Sequence, residues 1–158
     1  MVSLRSKIKV YSISILIALA VGALSAFLTR GSMEKFSALN QPPLSPPGWL
    51  FPVVWSVLFV LMGIGAAIVW LSDSPYRDKA LKVYTLQLVV NFFWSIIFFN
   101  LEARLFALLW LFLLLGLVLW MFILFRKISP LAAYLQIPYL LWLLFAAYLN
   151  AGVYLLNR

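Results

Sequence analysis

Apolar positions fill the chain in five long runs, at 10–29, 49–71, 83–101, 105–125 and 128–157, and none of these runs contains a charged residue. The hydrocarbon core of a bilayer is about 30 Å thick and a helix needs roughly 20 apolar residues to cross it, so each run is long enough. Backbone in lipid must satisfy its hydrogen bonds internally, which selects helices. The pattern predicts an all-α membrane protein with one transmembrane domain over residues 1–158. Five transmembrane helices are expected near 10–29, 49–71, 80–101, 105–125 and 129–156, forming a bundle with an ordered Pro-rich loop between helices 1 and 2, at 30–48.

The polar and aromatic positions within the runs say which faces turn inward. In the third span Tyr84, Gln87, Asn91, Trp94 and Phe98 follow 3, 4, 3, 4 spacing, which lays two amides and three aromatics along one stripe. Amides are costly in hydrocarbon without partners, so the stripe is expected to face the interior. Those amides could serve only as interhelical glue, worth about 0.6 kcal/mol on average in one membrane protein, or they could line a cavity. In the second span Trp55, Phe59 and Met62 share a face. In the fifth, Pro138, Trp142, Ala146 and Asn150 stand at successive i+4 steps, and Pro138 is expected to bend the helix and help open a cavity. The first span carries small residues at Ala18, Gly22, Ala23 and Ala26, suited to close packing. The fourth is Leu-rich, with Trp110 and Trp120 as interfacial anchors.

Composition narrows the chemistry. Only 10% of residues are charged, against about a quarter in soluble domains. The net charge of +8 comes from residues at span ends, as topology determinants do, so it does not argue for nucleic acid. Arg5, Lys7, Lys9, Arg77, Lys79, Lys82, Arg126 and Lys127 fall on one side, and Arg30, Lys35, Arg104 and Arg158 on the other. By the positive-inside rule the amino terminus is expected in the cytoplasm, with the Pro-rich loop and the carboxyl terminus outside. The first run exceeds the 7–15 residues of a signal-peptide core and is read as an uncleaved helix. With no Cys and no His, disulfides, thiolate chemistry and the commonest metal ligand are absent. Glu34, Asp73, Asp78 and Glu102 all lie outside the spans, which disfavours hydrolytic or metal-dependent catalysis.

An ordered set of motifs then becomes informative: Pro46-Pro47-Gly48-Trp49 with Pro52, Val54 and Trp55; Met62-Gly63; Gln87-Leu88 with Asn91 and Trp94; Phe98-Phe99; Ser129-Pro130-Leu131-Ala132-Ala133; and Pro138-Tyr139-Leu140 with Trp142, Phe145, Ala146 and Leu149-Asn150. In this set the chain resembles the TspO/MBR family of tryptophan-rich sensory proteins and translocator proteins, and resembles its bacterial members most. The resemblance implies a five-helix bundle, a homodimer, and an outer-side pocket for porphyrins such as protoporphyrin IX and for isoquinoline or benzodiazepine-type drugs. Helical spans fit an inner or plasma membrane better than a bacterial outer membrane, where barrels are the rule, so a bacterial plasma membrane is the expected setting.

Carried onto this chain, the ligand-binding candidates are Trp55, Phe59, Gln87, Asn91, Trp94, Pro138, Trp142, Phe145 and Ala146, with a lid of Pro42, Pro43, Pro46, Pro47, Gly48 and Trp49. No cofactor is called for; porphyrin would be the ligand or the substrate, and without His a metal-free ring is favoured over haem. Trp55 and Trp142 are the candidates for light-dependent porphyrin breakdown credited to some relatives. Passive shuttling of tetrapyrroles or other small hydrophobic molecules is the alternative, since the spans lack the buried carboxylate usual in coupled pumps. Two departures stand out. Leu44 replaces the aromatic that many members carry ahead of the Pro-Pro pair. Leu149, Tyr154 and Arg158 meet a sterol-recognition pattern only loosely, so no cholesterol role is transferred.

Overall fold

The computed structural model describes residues 2–158, and all its regular structure is helical among those residues. Helix α1 (Leu4–Thr29) runs on through a 3₁₀ turn (Arg30–Ser32) into the short α2 (Met33–Ser37). Next come α3 (Leu50–Trp70) and α4 (Arg77–Ser95), the latter widening into a π-helical turn (Ile96–Asn100). Last are α5 (Arg104–Ile128), α6 (Pro130–Tyr134) and α7 (Ile137–Leu156). Five segments are long and apolar enough to cross a membrane: Leu4–Ser37, Leu50–Trp70, Arg77–Asn100, Arg104–Ile128 and Pro130–Leu156.

Three boundaries differ from the pattern-based expectation for physical reasons. The first helix starts at Leu4, six residues ahead of the apolar run, because the Ser3 hydroxyl accepts from the Ser6 N–H and caps it there. The first eight residues expected in the loop are helical, so only residues 38–49 cross the bundle end as irregular chain. Expected as one bent helix, the fifth span is instead two helices, because a proline starts each. Pro130 opens α6 behind Ser129, whose hydroxyl accepts from the Ala132 N–H, and Pro138 is the second residue of α7, where a missing N–H leaves no vacancy.

Lipid tails are as apolar as leucine, so close packing and polar contacts hold such helices together. Helix α1 buries only Ala18, Ser25 and Thr29. It approaches α3 at Gly63, where an added Cβ would sit 2.6 Å from the Ile15 Cα, and there the Ser14 hydroxyl donates to the Gly63 carbonyl at 2.7 Å. At Gly22, a Cβ would meet the Phe59 ring at 2.5 Å. Helices α4 and α5 pack closely, with the Trp110 indole donating to the Val90 carbonyl at 2.7 Å.

The fifth span sets the shape of the site. Its inner piece, α6, packs against both α3 and α5; α7 packs tightly on α5 but its backbone stands off from α3 and α4. The bundle is therefore closed at the α6 end and splayed toward the loop end. Side chains of α3, α4 and α7 fill this wider spacing, the slot, and meet one another across it.

Candidate functional site: an aromatic slot with an amide floor

At the bottom of the slot lies a buried polar network. Asn91 of α4 donates to the Tyr139 hydroxyl of α7 at 2.6 Å, and that hydroxyl donates to the Gln87 Oε1 at 2.8 Å. Gln87 Nε2 reaches the Met62 sulfur of α3 at 3.7 Å, so three helices meet around one phenol. Gln87, Asn91 and Tyr139 are all almost fully buried. The α4 stripe does face inward: Tyr84 and Phe98 are buried as well, and Trp94 is partly so.

Above this floor the slot is lined with rings. Trp55 of α3 lies 6.2 Å from Tyr139 and 6.5 Å from Trp142, centroid to centroid, both edge-to-face. Phe51 meets Trp142 at 5.9 Å. Along α7 the i+3 spacing of Tyr139, Trp142, Phe145 and Tyr148 lines up a ladder, with Trp142 5.4 Å from Phe145 and Phe145 6.1 Å from Tyr148. The Tyr148 hydroxyl donates to the Pro43 carbonyl at 2.6 Å, so the ladder runs from the amide floor to the loop. Edge-to-face rings of this kind attract one another yet leave faces that a flat ligand can stack on. The Trp142 indole N–H is buried without a hydrogen-bond partner in the described structure. A buried donor without an acceptor is rare in native folds and points to an acceptor supplied from elsewhere.

The loop is strapped to the end of α7. Pro42 is buried and fills the space over Gly152, where a Cβ would lie 2.5 Å from its ring. Asn157 Nδ2 donates to the Asn40 carbonyl at 2.8 Å while its Oδ1 accepts from the Asn40 N–H at 3.0 Å. Pro46 is half-buried, whereas Pro47 and Gly48 are exposed and Trp49 is 68% exposed. Leu44 stands at the crest with φ 70°.

Of the residues singled out from sequence, the structure brings Trp55, Trp142 and Phe145 together at the slot and joins Gln87 and Asn91 beneath them through Tyr139. It places others apart. Phe59 touches Trp55 at 5.7 Å, but its ring lies against Gly22 of α1. Trp94 stacks on Phe98 at 5.2 Å and donates to Asn150 at 3.1 Å, toward the loop end. Ala146 is buried in the main core, and Pro138 is exposed at the start of α7. Tyr139 and Phe51 were not among the expected site residues. The signal for Tyr139 was present, since a phenol three residues from Trp142 inside an apolar span needs a partner.

Comparison with known proteins agrees with this architecture. The sequence profile described as the TspO/MBR family matches residues 14–156. The chain belongs to the TspO/MBR family. It is 36% identical over 146 residues to the "Tryptophan-rich protein TspO" of Archaeoglobus fulgidus, covering 91% of this chain and 94% of that one. It is 35% identical over 133 residues to the human "Translocator protein", covering 82% and 79% of the two chains, and 35% identical over 138 residues to "Protein CrtK" of Rhodobacter capsulatus, covering 86% and 85%. Membership of the TspO/MBR family and five membrane-length helices make this an integral membrane protein.

Proposed function

We propose that this protein is a membrane receptor for porphyrins, protoporphyrin IX in particular, and for isoquinoline or benzodiazepine-type drugs, which enter the slot between α7 and α3 beneath the 38–49 loop. The single observation that carries this reading is the unpartnered, buried Trp142 N–H set among the stackable rings of Phe51, Trp55 and Phe145. Such a site offers what a flat, mostly apolar macrocycle needs, namely aromatic faces and a few orienting polar groups. Asn91 and Gln87, already joined to Tyr139, can exchange that bond for a ring or side-chain oxygen of the ligand. Family membership supports a ligand-binding role in the membrane. The protein's setting in this reading is a bacterial plasma membrane, with the slot mouth outside.

Titration of the detergent-solubilised protein with protoporphyrin IX in darkness, following tryptophan quenching, tests the proposal. Saturable quenching that Trp142→Phe weakens is the expected result; non-saturable quenching matching that of free tryptophan would remove it. The edge contact of Trp55 with Trp142 favours one extension, light- and oxygen-dependent breakdown of the bound porphyrin: an indole donates an electron to the excited ring, the reduced ring passes it to dioxygen, the indole radical takes an electron back from the macrocycle, and the superoxide adds to the oxidised ring. Porphyrin absorbance would then fall under light only, and Trp55→Phe or Trp142→Phe would stop the loss. Equal bleaching in protein-free detergent would leave receptor or passive shuttle as the function.

A further inference from the structure

At the loop end of the bundle, the start of α5 and the end of α7 enclose an open groove of about 540 Å³. Its lower wall is apolar and faces outward: Leu105, Phe106 and Leu109 are 46%, 53% and 59% exposed within a membrane-length helix. Two guanidinium groups, those of Arg104 and Arg158, line the upper part. Glu102 is the one acidic side chain in the lining, and Lys35 of α2 already pairs with it at 3.0 Å. Arg104 is 3.8 Å from the same carboxylate through Nη2, yet its Nε is buried and has no hydrogen-bond partner. The guanidinium is held in place from behind, over the Phe98 ring at 5.8 Å, and its backbone carbonyl accepts from Asn150 at 2.9 Å.

An immobilised, under-used guanidinium beside a second cation, at the water end of an apolar wall, matches one chemistry. We propose that this groove binds an anionic phospholipid, with the phosphate between Arg104 and Arg158 and an acyl chain along Leu105, Phe106 and Leu109. Planar guanidinium groups bind phosphate oxygens in pairs, and an oxygen at the buried Nε would complete the bonding of Arg104. Lys35 neutralises Glu102, so the two arginines remain for the head group. A sterol, which carries a single hydroxyl, would leave both arginines unanswered.

Native mass spectrometry of the delipidated full chain distinguishes the possibilities, with phosphatidylglycerol, phosphatidylcholine and inorganic phosphate as probes. The wild type is expected to retain one phosphatidylglycerol in preference to phosphatidylcholine, with millimolar inorganic phosphate failing to displace it. The R104Q/R158Q variant is expected to lose about tenfold or more in affinity, since it removes both guanidinium groups assigned to the phosphate. R158Q alone alters an exposed terminal side chain and gives the same direction of change should the double variant fold poorly. L109E, which sets a carboxylate on the chain path, is expected to weaken retention too. Equal retention of both lipids with unchanged binding in R158Q and L109E would overturn the proposal. Displacement by inorganic phosphate would overturn the lipid assignment in favour of a free-anion site.

Discussion

A single phenol, Tyr139, organises the polar chemistry in the middle of this membrane protein. It accepts from Asn91 and donates to Gln87, so two amides on one helix are satisfied by one residue of another. The two amides therefore differ in how much they can be spared. Asn91→Leu removes a donor but leaves Tyr139 bonded to Gln87, and hydrogen bonds between membrane helices average only about 0.6 kcal/mol. The bundle is expected to keep its thermal midpoint within a few degrees while porphyrin affinity falls about tenfold, a change of roughly 1.4 kcal/mol. A fluorescence titration and a detergent melt read both quantities, and unchanged affinity would confine Asn91 to packing. Tyr139→Phe is the contrasting case: it strips both amides of their common partner, and buried polar groups left unpaired cost about 1–3 kcal/mol. Its melting midpoint should fall clearly below that of Asn91→Leu; a smaller drop would mean that the amides re-pair with each other.

Among the helices, close approach is concentrated at a few glycines. Gly63→Ala would drive a Cβ into the backbone of Ile15, 2.6 Å from its Cα and 2.9 Å from its nitrogen, and backbone cannot rotate away. Overpacking of that kind costs about 1–3 kcal/mol, so the variant should melt earlier in detergent. Gly116→Ala on α5 meets nothing within 4 Å, and the higher helix propensity of alanine should stabilise it by up to about 1 kcal/mol. Equal midpoints for the two would show that α1 slides freely on α3. These contacts also show what the sequence could and could not reveal about elements. Uninterrupted apolar runs were enough to place the five spans, and 3, 4, 3, 4 spacing was enough to turn the α4 stripe inward. The small residues of α1 were legible as a packing face, yet Ala23 and Ala26 are exposed and Gly22 receives a ring, because spacing does not name the partner. For the same reason Phe59 and Trp94 looked like equals of Trp55: helical periodicity gives the face of a residue, whereas the width of the gap opposite depends on how α6 and α7 divide the fifth span. That division rests on Ser129 capping α6 and on the placement of Pro138, local signals that a continuous apolar run conceals.

For the whole molecule, orientation decides which compartment the slot serves. Both bundle ends carry cations resting on aromatic faces, as interfacial anchors do. Arg77 lies over Trp70 at 5.8 Å, Lys79 over Trp120 at 5.6 Å and Lys127 over Tyr76 at 4.9 Å at the end away from the loop, while Arg30 lies over Phe27 at 4.0 Å at the loop end. Such contacts fix the depth of the bundle, and α3, with 21 residues at about 1.5 Å each, just matches a core about 30 Å thick. They do not choose a direction. We propose that the excess of Lys and Arg at the end opposite the loop does, with that end cytoplasmic, because short connections rich in Lys and Arg resist translocation. The chain has no cysteine, so single cysteines can be read without background. Ser37→Cys, on the exposed end of α2, should react with a membrane-impermeant maleimide in intact bacterial cells. Asp78→Cys, at a side chain 81% exposed near the start of α4, should react only after the cells are permeabilised. The reverse pattern would turn the mouth of the slot toward the cytoplasm, and a porphyrin bound there as proposed would have to come from synthesis inside the cell rather than from the medium.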